Sequence, residues 1–412
     1  MILPFLKMPL DFKRSGLTLN STEIPSCKFN NLYPKFPPLA SLNFYCSFVF
    51  RNLNILSIYS TDILCIYLTE ILSSINSDYS KQFVIIFPLM KALYFNDFGA
   101  AEVLRYGELP EPEIKSGQAL VKMHAVGLNF ADVYRRRGNY HLAGKPPFIL
   151  GYEGAGEIVA VGETSPTDLK PGDRAAFADS PFANAELVAV DTEKLVKLPA
   201  AIDYETAAAI MLQGLTAHYL TNDSYQVKPG ETALVHAAAG GVGLLLTQII
   251  KIKGGKVLAV VSSEAKRTAA LEAGADAAVL YDEDWIQEAR KFGRAETGVD
   301  VVFDSVGATL DASLAAVRTG GQVVFYGMAG GDPEKVDPRR LMDESKTLTG
   351  GDLWNVLTSG EERKRRVAEL FSWISEGKLK VRIAGRFPLA EGRAAHEFLE
   401  SRAAIGKILF IP

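Results

Sequence analysis

The run Leu234-Val235-His236-Ala237-Ala238-Ala239-Gly240-Gly241-Val242-Gly243 constrains this chain more than any other stretch. Thr232 to His236 reads as a buried strand, after which the side chains shrink to methyl groups and hydrogens, and an apolar helix opens over Gly241 to Lys253. Such a turn brings backbone N–H groups and a helix N-terminus within reach of a pyrophosphate. Glycines alone mark many turns. Here a second strand, Lys256 to Val261, follows the helix and completes the context that a dinucleotide site requires.

The residues after that second strand bear on which dinucleotide. An acidic residue there binds the ribose 2′-hydroxyl of NAD, whereas this chain has Ser262-Ser263, with Lys266 and Arg267 one helical turn on. Hydroxyls beside cations suit a 2′-phosphate, which favours NADPH over NADH. The alternative is a solvated Lys-Arg pair on an exposed helix, and Glu264 either repels a phosphate or points to water.

At 412 residues the chain has room for two domains with substantial cores. Its formal net charge of −4 gives no basis for a polyanionic partner, so no nucleic acid is expected. Composition breaks at Met90. Residues 1–89 hold one glycine, Gly16, one alanine, Ala40, and all three cysteines, Cys27, Cys46 and Cys65; the remainder is rich in Ala, Gly and Val. A cysteine-free main body excludes thiolate zinc sites and a disulfide framework there, and a reducing cytoplasm is the expected compartment. The apolar runs Phe44 to Phe50 and Asn54 to Leu72 are flanked or broken by Arg51, Asp62 and Glu70, so neither makes a clean membrane span. The expectation is that Met90 is the physiological start and that residues 1–89 are a non-native or disordered extension.

From Met90 the chain reads first as short strands: Lys91–Phe95, Gln118–Val126, Gly156–Val161 and Arg174–Phe177, punctuated by Pro and Gly in the manner of a partly open β-barrel. A helix over Tyr204–Leu220 leads into an alternating region. Strands fit Thr232–His236, Lys256–Val261, Ala277–Leu280, Val299–Asp304 and Gln322–Tyr326; helices fit Gly241–Lys253, Glu264–Ala273 and Leu310–Arg318. That rhythm specifies an α/β fold with a doubly wound parallel sheet. Helix 361–376, strand 381–387, helix 391–401 and strand 407–411 close the chain and suit packing back on the first domain.

Met90 to Pro412 resembles the zinc-independent quinone oxidoreductases, the zeta-crystallin-like group of the medium-chain dehydrogenase/reductase superfamily. The resemblance is carried by Gly127-Leu128-Asn129-Phe130-Ala131-Asp132-Val133-Tyr134, Gly151-Tyr152-Glu153-Gly154-Ala155-Gly156, Gln213-Gly214-Leu215-Thr216-Ala217, the glycine loop, Asp304-Ser305-Val306-Gly307 and Glu400-Ser401-Arg402-Ala403-Ala404-Ile405-Gly406-Lys407. It implies a GroES-like catalytic domain over residues 90–215, a Rossmann domain over 216–350 and a return to the catalytic domain over 351–412. It also implies a homodimer.

In zinc alcohol dehydrogenases of this superfamily a zinc-ligating His stands where this chain has Tyr152, so no metal is expected. Without a Lewis acid the favoured substrates are electron-poor, because hydrogen-bond donors then suffice for the oxyanion. The resemblance implies reduction of a quinone, with an enone or 2-alkenal as the rival acceptor and an NADPH-binding, crystallin-like protein as the non-enzymatic rival. Tyr134 and Tyr140 are the candidate donors, or else packed aromatics; Asn129 is expected beside the nicotinamide, or else is a turn residue. Cofactor contacts carried over from the family fall on Thr216 at the nicotinamide end, Gly240, Gly241 and Val242 at the pyrophosphate, and Ser263 and Lys266 at the 2′-phosphate. Tyr281 is placed near the adenosine phosphate, Phe325, Tyr326 and Gly327 at the carboxamide, and Arg402 as a further 2′-phosphate contact or a surface residue. Glu153 is expected to pair with a backbone or cationic group between the domains.

Overall fold

The computed structural model describes residues 88–163 and 168–412. The readings of residues 1–87, including the two apolar runs, lie outside the described residues. Leu89, placed in the extension by composition, pairs with Pro110 as the first residue of a strand.

Along the chain the elements are β1 (Leu89–Phe95), β2 (Arg105–Pro110), β3 (Gln118–Leu128), α1 (Phe130–Arg136), β4 (Phe148–Ile149), β5 (Glu153–Val161), β6 (Arg174–Ala178), β7 (Leu187–Asp191), β8 (Leu195–Lys197) and α2 (Tyr204–Tyr219). A single π-turn, Leu220–Ser224, ends α2. There follow β9 (Thr232–His236), α3 (Gly241–Ile252), β10 (Lys256–Val261), α4 (Glu264–Glu272), β11 (Ala277–Leu280), α5 (Trp285–Phe292), β12 (Val299–Asp304), α6 (Leu310–Ala316), β13 (Val317–Phe325), α7 (Pro338–Asp343) and β14 (Thr347–Gly350). The closing elements are α8 (Gly360–Ser375), β15 (Ile383–Pro388), α9 (Gly392–Glu400) and β16 (Lys407–Ile411).

Strands β9 to β14 form one sheet in the order β11-β10-β9-β12-β13-β14, every pair parallel. This is the doubly wound arrangement, with the first strand central and the crevice at its carboxyl end. β9 and β12 are buried along their whole length, which is why neither alternates apolar with exposed polar residues. The first domain is a mainly antiparallel seven-stranded sheet, β15-β16-β3-β5-β6-β8 with β7 on β3, beside a small sheet β2-β1-β4. Strand β16 pairs with β3 through Ile408–Leu128, so the chain's last strand is built into its first domain.

Several elements differ from their sequence expectations. β13 begins at Val317 rather than Gln322, because its first residues continue from α6 through Gly320-Gly321 and pair with β12 across a register shift. The sequence reading places no element at β2, α1, β4, β7, β8, α5, α7 or β14. α5 is half polar and starts from an Asp284 side-chain cap; β14 is a half-exposed edge.

Candidate active site

The glycine loop forms at the carboxyl end of β9. Ala237 takes φ +48°, and Gly240 N donates to Ala237 O at 2.8 Å, closing the turn. Ala238, which stands where many such loops begin with glycine, needs no left-handed backbone. Gly243 is required by packing: a Cβ there would lie 2.4 Å from Ala237 O and 2.7 Å from Ala238 Cα. Gly241 abuts the Gln213 amide in the same way, its Cβ position only 1.9 Å from Gln213 Oε1. No side chain caps Gly240 at the start of α3, so first-turn N–H groups stay available to an anion.

A buried polar chain supports this loop from below. Tyr281 Oη accepts from Ala237 N at 2.9 Å and lies 3.2 Å from His236 Nδ1; His236 Nε2 lies 3.0 Å from Ser313 Oγ, which donates to Asp304 Oδ2 at 2.7 Å. Burial lowers the His236 pKa to about 4, so the ring is neutral at pH 7. Asp304 also accepts from the N–H groups of Val306 and Gly307, fixing the turn across the crevice. The Tyr281 hydroxyl is therefore engaged with the loop itself.

At the end of β10 the cations separate into two kinds. Arg267 is neutralised by Glu264 and Glu283, at 2.9 and 2.5 Å. This disposes of Glu264 as a repulsive charge. Lys266, by contrast, donates to Ser262 Oγ at 3.0 Å and to the Arg402 carbonyl at 2.5 Å, and neither Lys266 nor Arg402 pairs with a carboxylate among the described residues. Burial first, then the Arg402 charge, lowers the Lys266 pKa. Ser263 caps α4, accepting from Lys266 N at 3.4 Å. Two like charges held together without an acid partner, beside an uncapped helix start, fit a group with a pyrophosphate and a further phosphate.

Asn129 sits at the start of α1, 6 % exposed, with every amide atom occupied. Nδ2 donates to Glu153 Oε1 at 2.7 Å; Oδ1 accepts from Gln213 Nε2 at 3.1 Å and from Lys407 Nζ at 2.8 Å. Glu153 also accepts from Lys407 Nζ at 2.5 Å and from Leu212 N at 2.6 Å. Glu153 thus meets a cation on β16 and a backbone group on α2. Sequence reading did not single out Lys407, which lies 278 residues from Asn129. The one signal pointing to it was its place at the end of the Glu400–Lys407 motif.

The two phenols lie together. The Tyr134 and Tyr140 rings meet edge to face, their centroids 6.5 Å apart. Tyr134 Oη accepts from Met328 N at 3.3 Å, and burial raises its pKa to about 12. Tyr140 Oη donates to Asp352 Oδ2 at 3.3 Å, and its pKa is raised by burial and then by Asp352. Both are protonated donors at neutral pH. Tyr152, 6 % exposed, accepts from Ala143 N and lies 6.5 Å from the Trp354 ring. Phe325, Tyr326 and Gly327 leave β13 at the crevice, Tyr326 N donating to Asp304 O at 2.9 Å. Thr216 Oγ1 donates back to Leu212 O within α2.

Residues 115–232 match the family described as the alcohol dehydrogenase GroES-like domain, and residues 241–373 the one described as zinc-binding dehydrogenase. A quinone oxidoreductase of Pseudomonas aeruginosa is 39 % identical over 329 residues, 79 % of this chain and 100 % of that protein. The chain belongs to the quinone oxidoreductase family. That family lies within the medium-chain dehydrogenase/reductase superfamily, and the resemblance carried by the six motifs is borne out. The solved structure of Escherichia coli quinone oxidoreductase complexed with NADPH aligns at a TM-score of 0.75 and 36 % identity, covering 78 % of this chain and 100 % of that one. A 2-haloacrylate reductase of a Burkholderia species is 34 % identical over 308 residues, 72 % of this chain and 91 % of that protein. The GroES-like and Rossmann pair expected of this quinone oxidoreductase relative is the fold observed.

Proposed function

We propose that this member of the quinone oxidoreductase family reduces a quinone with NADPH and needs no metal to do so. The observation that carries the reading is the acid-free pair Lys266 and Arg402 beside the uncapped start of α3. Ser263, Lys266 and Arg402 would hold the 2′-phosphate, and the N–H groups of Gly240, Gly241 and Val242 the pyrophosphate. Thr216, Tyr326 and the backbone of Phe325 and Gly327 would flank the nicotinamide end. Tyr281 acts beneath the loop by fixing Ala237.

Bound NADPH would supply a hydride, and the acceptor takes one further proton to become a hydroquinone. The chain's own part is to orient and to donate. Tyr134, whose oxygen accepts from Met328 N, has its hydrogen free for the acceptor oxygen that gains charge. Tyr140 would join it by turning its O–H from Asp352 Oδ2 to that oxygen. Asn129, saturated by Glu153, Gln213 and Lys407, braces the floor of the site. Tyr152 supports the metal-free reading: it offers a phenol already bonded to Ala143 N where zinc enzymes have a ligand.

Reduction of an activated double bond is the second reading, favoured by the Burkholderia 2-haloacrylate reductase among the relatives. Oxidation of NADPH with a benzoquinone and a 2-alkenal side by side separates them, before and after dialysis against a chelator. A tenfold preference for the alkenal overturns the quinone reading. Loss of turnover on chelation, restored by zinc, overturns metal independence. Tight NADPH binding without turnover leaves a binding protein. No helix among the described residues is long and apolar enough to cross a membrane. Two copies would pair through β14, the open edge of the six-stranded sheet. A cytoplasmic setting and the lack of a nucleic-acid partner complete the proposal.

A further inference from the structure

Arg135 lies behind the phenol pair and is wholly buried. Its Nε donates to His141 O at 3.1 Å, and its guanidinium carbon stands 3.6 Å from the Tyr152 ring centre and 5.1 Å from that of Tyr140. Nη2 is buried and meets no acceptor among the described residues. The carboxylate in ion-pair range is Asp132, at 3.4 Å from Nη1. Asp132 is itself buried and also accepts from Asn129 N; burial pushes its carboxyl up, opposed by Arg135, the Asn129 N–H and Lys407. A guanidinium keeps its charge at any working pH. The site therefore holds a guanidinium between two tyrosine rings, Nη1 on Asp132 and Nη2 without an acceptor among the described residues.

Arg135 offsets the buried Asp132 of the α1 capping box, but that pairing accounts for Nη1 alone and not for the guanidinium lying over the Tyr152 and Tyr140 rings. Its position does suit chemistry. When the acceptor gains hydride, the electron pair of its carbonyl moves onto oxygen. That charge is neutralised afterwards by one proton from solvent, and Tyr140 ends the cycle protonated. A cation over the rear of the donor ring strengthens its O–H toward that oxygen.

We propose that Arg135 is the built-in positive charge of the acceptor pocket, acting through Tyr140 as a positioning residue. The inference rests on the reading that Tyr140 faces the acceptor. Tyr140 is faced by Arg135 and Tyr134 from α1, by His141 beside it with ring centres 4.0 Å apart, and by Asp352 from the segment after β14. Burial and Asp352 raise the Tyr140 pKa, whereas Arg135 opposes them.

The test compares Arg135→Met, Arg135→Lys, Tyr140→Phe and the Arg135→Met/Tyr140→Phe double variant. Measured are kcat with a benzoquinone at saturating NADPH, NADPH affinity by fluorescence, and alkaline titration of tyrosine absorbance. Arg135→Met is expected to lower kcat about tenfold, the scale of one charge-assisted contact, with NADPH affinity unchanged and Arg135→Lys retaining more activity. A tyrosine that Tyr140→Phe removes from the titration moves to higher pH in Arg135→Met, and the double variant is no slower than Tyr140→Phe alone. Equal losses with and without Tyr140, or an unmoved titration, overturn the proposal. Should Arg135→Met fail to fold, Arg135→Gln takes its place in the same cycle. If the unmodified protein reduces no quinone, the functional reading fails, while the titration still decides the coupling of Arg135 to Tyr140.

Discussion

Lys407 and Glu153 form a salt bridge with essentially no solvent contact, their side chains 1 % and 0 % exposed and their charged atoms 2.5 Å apart. The pair joins the last strand to β5 and together with Asn129 ties both to α2, through Gln213 and Leu212 N. One residue before Lys407, Gly406 N donates to Ala239 O of the glycine loop at 3.1 Å. The chain's end thus contacts the glycine loop and Asn129 in consecutive residues.

Removing one member of a buried pair leaves the other charged and unpaired, which costs about 3–5 kcal/mol. Lys407→Met is expected to lower the unfolding free energy from urea melts by that scale, and adding Glu153→Leu to recover part of the loss. A single Lys407→Met variant as stable as the parent would contradict the pairing.

Lys266 and Arg267 adjoin in sequence but differ in partners, so their alanine variants should differ as well. Lys266→Ala is expected to weaken NADPH roughly tenfold to a hundredfold, the worth of a charge-assisted bond, and NADH far less. Arg267→Ala, whose charge is spent on Glu264 and Glu283, should leave both affinities near the parent values. Fluorescence titration with the two cofactors reads the difference.

Gly243 has backbone atoms where a Cβ would go, whereas the nearest atom to such a Cβ at Gly240 is Ala237 O at 3.1 Å. Gly243→Ala should cost about 1–3 kcal/mol, the usual range for overpacking, and displace the loop from Ala237 onward. Gly240→Ala should cost less. Thermal melts without cofactor rank the two; the reverse order would refute the packing role of Gly243.

His236 titrates at about 4 when folded, against 6.5 for a free histidine, because burial disfavours its charged form. The unfolded chain then binds more protons between those values, so stability falls as pH drops from about 6.5 to about 4, and the effect vanishes above that window. His396, lowered to about 3 by burial, adds loss of the same sign. His236→Gln should therefore show a shallower fall over that range in denaturant melts at stepped pH. An unchanged slope would show that His236 is not the group responsible.

Loss of a single hydrogen-bond donor to a developing oxyanion slows catalysis by roughly a hundredfold or more. Tyr140→Phe, which keeps the ring against Arg135 and deletes only the hydroxyl, is expected to lower kcat on that scale without altering NADPH affinity. Steady-state assays with a benzoquinone check it. A Tyr140→Phe variant with parental kcat would remove the phenol from the mechanism.

Much of the Rossmann half was legible because its signals are local. β9, β10, β11, β12 and β16 begin and end where the sequence places them, since short, largely apolar runs between turn residues and helices suit buried parallel strands. The glycine loop, and the lack of an acid after β10, were likewise short-range patterns. Sequence alone determined the alternation of strand and helix, the turn that opens α3 and the cations after β10. Tertiary structure decided the rest. Which of two neighbouring cations stays free of acid depended on Glu283 reaching Arg267, and the saturation of Asn129 depended on a lysine from the final strand. The burial of Arg135 between Tyr140 and Tyr152 arose only where a helix face met a strand entrance. The reason is physical: periodicity records which face of an element is buried, whereas the partner of a buried polar group is chosen by the few distant side chains that folding brings within 3 Å of it.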